Sequence, residues 1–114
     1  MDDCLFCKIV NKEIPSDIIF ENDRLMAFKD IDPQAPIHFL IIPKIHVSTL
    51  NDLESGHQEL IGEIFLTAKQ LAKEYKIAET GYRTVFNCNQ EGGQAVYHIH
   101  LHLLGGRQMS WPPG

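Results

Sequence analysis

Between Leu60 and Tyr75 the apolar residues Leu60, Ile61, Ile64, Phe65, Ala68, Leu71, Ala72 and Tyr75 return every three or four positions. Glu59, Glu63, Lys69, Lys73 and Glu74 fill the other face. This spacing predicts one long amphipathic helix. Ser55 followed by Gln58 is a candidate capping box at its start, and Gly81 lies just past its end. Elsewhere the apolar runs are short. Ile18–Glu21 and Leu25–Phe28 flank Glu21-Asn22-Asp23-Arg24, which predicts a hairpin. Phe39 to Ile42, rich in β-branched residues and stopped by Pro43, predicts a buried strand. Tyr82–Asn87 and Val96–Leu104 predict two more, the second closed by Gly105-Gly106, with the glycine-bearing loop Asn89–Gln94 between them. Cys4–Val10 reads as a short N-terminal helix or turn, and Asp30–Pro36 as a loop. Pro112 and Pro113 exclude a terminal helix. Strands, one long helix, then strands make an α+β pattern with a largely antiparallel sheet and the helix on one face.

Composition narrows the setting. The 114 residues, 44% hydrophobic and 22% charged, fit one domain over 1–114 with a tail at 105–114. The apolar fraction is too high for disorder, and no apolar run reaches the roughly 18 residues of a membrane helix. The start, Met1-Asp2-Asp3-Cys4, carries acid where a signal peptide carries base. Three cysteines are an odd number: Cys4 and Cys7 lie too close to staple a fold, and Cys88 stands alone. A reducing, cytoplasmic setting is therefore expected. Ten Lys and Arg against fifteen Asp and Glu leave a net charge of -5. That disfavours a broad nucleic-acid contact, but not a small anion held by a pocket that gathers donors locally.

The six histidines change the picture, because His98, His100 and His102 fall within five residues. On a strand, a period of two places all three on one face and Ile99, Leu101 and Leu103 on the other. Neighbouring histidine Cα atoms then stand about 6.6 Å apart. They can share one metal or address different atoms of one ligand. A plain solvated strand face needs no such residues; Thr, Lys or Glu would serve. Neutral imidazole is a good nucleophile near pH 7. The preceding Gly92-Gly93-Gln94-Ala95 can bring backbone N–H groups close to an anion, and Asn87 can add a donor. Histidines with oriented donors suit phosphorus chemistry, where charge builds on non-bridging oxygens.

YHIHLHLLGG resembles the His-φ-His-φ-His-φ-φ motif of the histidine triad family of nucleotide hydrolases and transferases. The likeness extends over CLFCKIVNKEIP, FKDI, PQAP, HFLIIPKIH and GGQ, and the ending GGRQMSWPPG resembles the Hint branch, the purine nucleoside phosphoramidases. The resemblance implies a HIT-like fold and hydrolysis of purine nucleoside 5′-phosphoramidates through a nucleotidyl-histidine on His100. It implies that His102 holds a phosphate oxygen and that His38 supports His100 from the neighbouring strand. Asp30 becomes the ribose ligand, Phe6 and Ile31 flank the base, and Asn87, Gly93 and Gln94 line the phosphate side. Ala95 departs from the branch, which commonly carries a serine there, near the leaving group. Family members that keep both cysteines bind zinc, which implies a closed structural site of Cys4, Cys7, His46 and His98. Cys88 and His57 are read as bystanders, His57 as a solvated helix residue.

Three other functions compete. The Hint-like ending argues against a dinucleoside polyphosphate hydrolase, and an intact His100 argues against a purely regulatory nucleotide-binding protein. Asp30, Asn87 and GGQ leave little room for a metal carrier built on HxHxH. The wide apolar face of the helix and the strand edge at Tyr82–Asn87 predict a homodimer about a twofold axis. Trp111 would then reach the partner's substrate pocket, since a free terminal indole leaves a large ring uncovered.

Overall fold

The long amphipathic helix and the sheet strands present apolar faces that pack together. The computed structural model describes residues 3–114; Met1 and Asp2, part of the acidic start read above, lie outside the described residues. In chain order the elements are α1 (Leu5–Val10), β1 (Ile18–Glu21), β2 (Leu25–Lys29), β3 (Ile37–Pro43), α2 (Gln58–Glu74), β4 (Tyr82–Val85) and β5 (Leu101–Gly105). The five strands form one antiparallel sheet in the order β1-β2-β3-β5-β4. The α+β architecture with one long helix and a short N-terminal helix is as expected.

Alternation along the strands sorts the side chains into two layers. Leu25, Ala27, Phe39, Ile41, Leu101 and Leu103 pack against Leu60, Ile64, Ala68, Leu71 and Ala72 of α2. Met26, Phe28, Leu40 and Ile42 point the other way, onto Phe6 and Ile9 of α1. Register places Leu40 opposite His102, and His38 lies two residues from Leu40 along β3. Both imidazoles therefore stand on the α1 side of the sheet, away from the long helix.

Several expectations shift. The histidine strand begins at Leu101, not Val96, and the chain bends at 96–98. Its partner explains this: Ile41 pairs with Leu101, so two positions further on the ladder would set Pro43 against Ile99. Proline has no N–H to donate, and the ladder stops there. Ile99 instead donates its N–H to the Val47 carbonyl at 2.8 Å. Strand β4 ends at Val85, which leaves Asn87 in the loop beyond, and Gly105 belongs to β5, so the tail leaves the sheet only after it. The Ser55–Gln58 box is replaced by a short 3-10 turn, Ser55–His57. There His57 Nδ1 accepts the Glu54 N–H at 3.0 Å, so His57 is a half-buried capping residue, not a solvated bystander. The tail is tied back where Arg107 Nε donates to the Gln34 carbonyl and Arg83 Nη2 to the Ser110 carbonyl, both at 3.0 Å. No helix among the described residues is long and apolar enough to cross a membrane.

Candidate active site

On the α1 side of the sheet lies a cavity of about 350 Å³. Its floor is apolar: Leu5, Phe6 and Ile9 from α1, Phe28 from β2, Leu40 from β3. Against this wall stand Asp30, Asn87, His100 and His102, with Gly93, Ala95 and Val96 closing one side and Ile31 the mouth. Phe6 is 4% exposed, whereas Ile31 is 98% exposed, an apolar side chain held in solvent beside an apolar cavity. Eight of the residues singled out from sequence thus meet in one place: Phe6, Asp30, Ile31, Asn87, Gly93, Ala95, His100 and His102.

Hydrogen bonds assign the imidazole protons. His100 Nδ1 lies 2.8 Å from the carbonyl oxygen of His98. A carbonyl only accepts, so Nδ1 carries the proton and Nε2 keeps its lone pair. At His38 the order is reversed. Its Nδ1 accepts the Gln34 N–H at 3.0 Å, so the proton of the neutral ring sits on Nε2. His38 Nε2 stands 2.8 Å from His102 Nδ1 and donates to it. His102 is left with its proton on Nε2. Two neighbouring rings, 5.0 Å apart at their centroids, therefore hold opposite tautomers: His100 Nε2 is a base and nucleophile, His102 Nε2–H a donor.

Burial keeps these rings neutral. Desolvation lowers the pKa values of His38 and His100 below the usual imidazole value and is opposed in each by the charge of Asp30. His102 is pushed down to about 4, first by burial and then by His100 and His38. Asp30 Oδ1 accepts the Asp32 N–H at 2.8 Å, and Oδ2 faces His38 Nε2 at 3.5 Å. The expectation that His38 supports His100 needs correcting. Register sets β3 beside His102, and it is His102 that His38 touches.

The glycine loop is shaped by close approach. A Cβ on Gly92 would lie 2.5 Å from the Cys88 carbonyl oxygen, and Gly93 has φ +79°. Neither position suits a larger residue. Gln94 is 7% exposed and absent from the cavity lining. Its Oε1 accepts the Asn89 N–H at 2.9 Å, and its Nε2 donates to the carbonyls of Ser48 and Val96 at 2.7 and 3.1 Å. Its side chain braces the loop instead of facing a ligand. Trp111 also lies outside the cavity, 81% exposed, with Phe86 and Asn87 nearby on its own chain.

Cys4, Cys7, His46 and His98 form a second cluster, each offering a ligand atom within 4.8 Å of the others, a set that can hold a metal ion. The Cys4 side chain caps α1, its Sγ accepting the Cys7 N–H at 3.4 Å. His98 Nε2 donates to the Pro43 carbonyl at 2.7 Å, and His46 Nε2 lies 3.0 Å from Ser48 Oγ. Both rings thus turn Nδ1 toward the thiols. With no cation, burial and the Cys4 thiol push Cys7 up to about 11. Sequence reading missed the supporting groups: the Gln34 N–H, the Pro43 carbonyl and Ser48. Pro43 and the PQAP loop were visible, but only register shows what they face.

The pattern of the HIT domain family matches residues 11–109. The chain is 49% identical over 108 residues to the purine nucleoside phosphoramidase of Escherichia coli K12, covering 95% of this chain and 91% of that protein. It is 50% identical over 112 residues to Adenylylsulfatase HINT1 of Arabidopsis thaliana, covering 96% of this chain and 76% of that one. The crystal structure of a HIT family hydrolase from Legionella pneumophila Philadelphia 1 superposes with a TM-score of 0.97 at 58% identity, covering 98% of this chain and all of that one. With the triad and its cavity in place, the chain belongs to the HIT family, among its hydrolases.

Proposed function

We propose that this protein hydrolyses purine nucleoside 5′-phosphoramidates of the AMP-amine type, and related aminoacyl-adenylates, through a nucleotidyl-histidine intermediate. The observation that carries the reading is the unprotonated Nε2 of His100, fixed by the bond from its Nδ1 to the His98 carbonyl and set against an apolar cavity. Nε2 attacks the α-phosphorus, the N–P bond to histidine forms, and the bond to the leaving group breaks as the amine departs with a proton taken from solvent. Water then cleaves the histidine–phosphorus bond, returns one proton to solvent, releases the nucleoside monophosphate and restores the Nε2 lone pair. His102 Nε2–H holds a phosphate oxygen, with His38 keeping that proton in place. Asn87 and the Gly93 backbone supply further donors. Asp30 accepts from the ribose, and Phe6 and Ile31 flank the base. Ala95 brings no hydroxyl to the leaving group.

The four-residue cluster fits zinc. Bonds of about 2.3 Å to sulfur and about 2.05 Å to nitrogen in a tetrahedron set S···N edges of about 3.5 Å. Three such edges here measure 3.5, 3.3 and 3.5 Å. Four protein ligands close the site to substrate, and the groups on each histidine Nε2 fix its ring orientation. Bound zinc supplies charge that holds both thiolates; it takes no part in the phosphorus chemistry. We place the protein in the cytoplasm, where free thiols persist. We also assign it a homodimer. Phe65 and Leu66 are 44% and 65% exposed on α2, and β4 ends the sheet with Tyr82 40% exposed. A twofold contact there buries these groups and carries Trp111 toward the partner's cavity.

His100→Ala is expected to abolish AMP release from an adenosine phosphoramidate while AMP still binds. Diadenosine polyphosphates assayed in parallel should turn over more slowly; residual phosphoramidase within about tenfold of wild type removes His100 from its role. Elemental analysis of chelator-free protein should find about one zinc per chain, and Cys4→Ser should lose it with a lower Tm. Metal-free wild-type protein contradicts the site. Sedimentation at micromolar concentration should show a dimer. Truncation after Gly106 should alter preference among leaving groups without unfolding the domain; a monomer or an unchanged profile ends that assignment.

A further inference from the structure

We propose that the zinc cluster holds the catalytic pocket in shape, so that zinc and nucleotide bind with mutually linked affinities through His98 and Phe6 as positioning residues. This rests on the nucleotide and zinc readings above and adds to them a coupling that neither requires.

Two covalent facts make the link. His98 belongs to both sites. Its Nδ1 stands 3.5 Å from each cysteine Sγ, and its carbonyl accepts the His100 Nδ1–H at 2.8 Å. The ring is completely buried and its Nε2 is held by Pro43, so the backbone carrying that carbonyl follows the ring. Phe6 lies inside the Cys4–Cys7 chelate loop. Its ring meets His100 edge-on at 5.0 Å and 90°, and His98 at 6.0 Å and 70°. Leu5, in the same loop, lines the nucleotide cavity as well as the cleft that reaches Cys4 and His46.

Helix α1, which carries this wall, spans six residues, too few to be stable alone. Its N-terminal turn is held by apolar packing and by whatever ties Cys4 and Cys7 to His46 and His98. An ion at the cluster therefore fixes the base-facing wall through Phe6 and the nucleophile's hydrogen-bond acceptor through His98. A nucleotide pressed against Phe6 and His100 stabilises the same arrangement. Two ligands that favour one arrangement must tighten each other by one and the same factor.

The test uses the full-length protein. Zinc affinity is measured against a competing chromophoric chelator with and without saturating AMP, and AMP affinity by calorimetry with and without zinc. AMP should tighten zinc at least about fivefold, and zinc should tighten AMP equally. Phe6→Leu keeps all four ligands but removes the aromatic wall: the ratio of its zinc affinities with and without saturating AMP should fall to less than half the wild-type ratio. If Phe6→Leu unfolds, Leu5→Ala, at a position 42% exposed, carries the same comparison. Chelation should also move the His100 imidazole ¹⁵N resonances, which a purely distant structural ion would leave in place. AMP binding with a zinc affinity indifferent to it overturns the coupling and leaves the nucleotide reading standing. Failure of AMP to bind the zinc-loaded protein overturns the nucleotide reading itself.

Discussion

The hydrogen bond from His100 Nδ1 to the carbonyl of His98 is the contact on which the proposed chemistry depends. It is short, buried and made to a group that only accepts. It decides which nitrogen is free. The acceptor is an uncharged backbone group, and burial keeps the pKa low although this bond and the charge of Asp30 both raise it. The neighbouring rings obey the same logic with opposite outcome. A backbone N–H at Gln34 forces the proton of His38 to Nε2, and that proton forces the one on His102 outward. Main-chain groups at two places in the fold thus set one nucleophile and one donor side by side.

The sheet makes this arrangement available. Alternation in β3 and β5 gives one face to α2 and an apolar core, and the other to α1, where His38 and His102 share a layer with Leu40. The long helix buries enough surface to carry the domain, which leaves the second face free to bind. On that face the small helix brings Phe6 against the triad, so the cavity and the proposed nucleophile share a wall. Burial then does two things together. It makes hydrogen bonds to an anion held there stronger, and it keeps the imidazoles neutral at physiological pH.

Much of this was legible in the residues. The 3.6-residue period of α2 and the alternation of the β5 run are strong signals because each carries a buried apolar half, though only His102 of the three histidines lies on β5 itself. What escaped belongs to pairing between distant segments. The proline that ends β3 is plain in the sequence, yet only register shows it opposing Ile99 and so holding the strand to Leu101–Gly105, with His98 and His100 outside it. The same register gave His38 to His102 instead of His100. Gln94 sits in a glycine loop that suggests a ligand, but its amide satisfies three backbone groups, a role set by how the loop folds back on Ser48. His57 lost its bystander status for a similar reason: the helix start tightened into a 3-10 turn that left the Glu54 N–H facing an imidazole.

Proton placement on the two rings can be measured. Long-range ¹H–¹⁵N correlation spectra of histidine-labelled protein at neutral pH report which ring nitrogen bears hydrogen. The expected result is Nδ1–H with unprotonated Nε2 at His100, and unprotonated Nδ1 with Nε2–H at His102. The same tautomer on both rings, or a proton on Nε2 of His100, would contradict it.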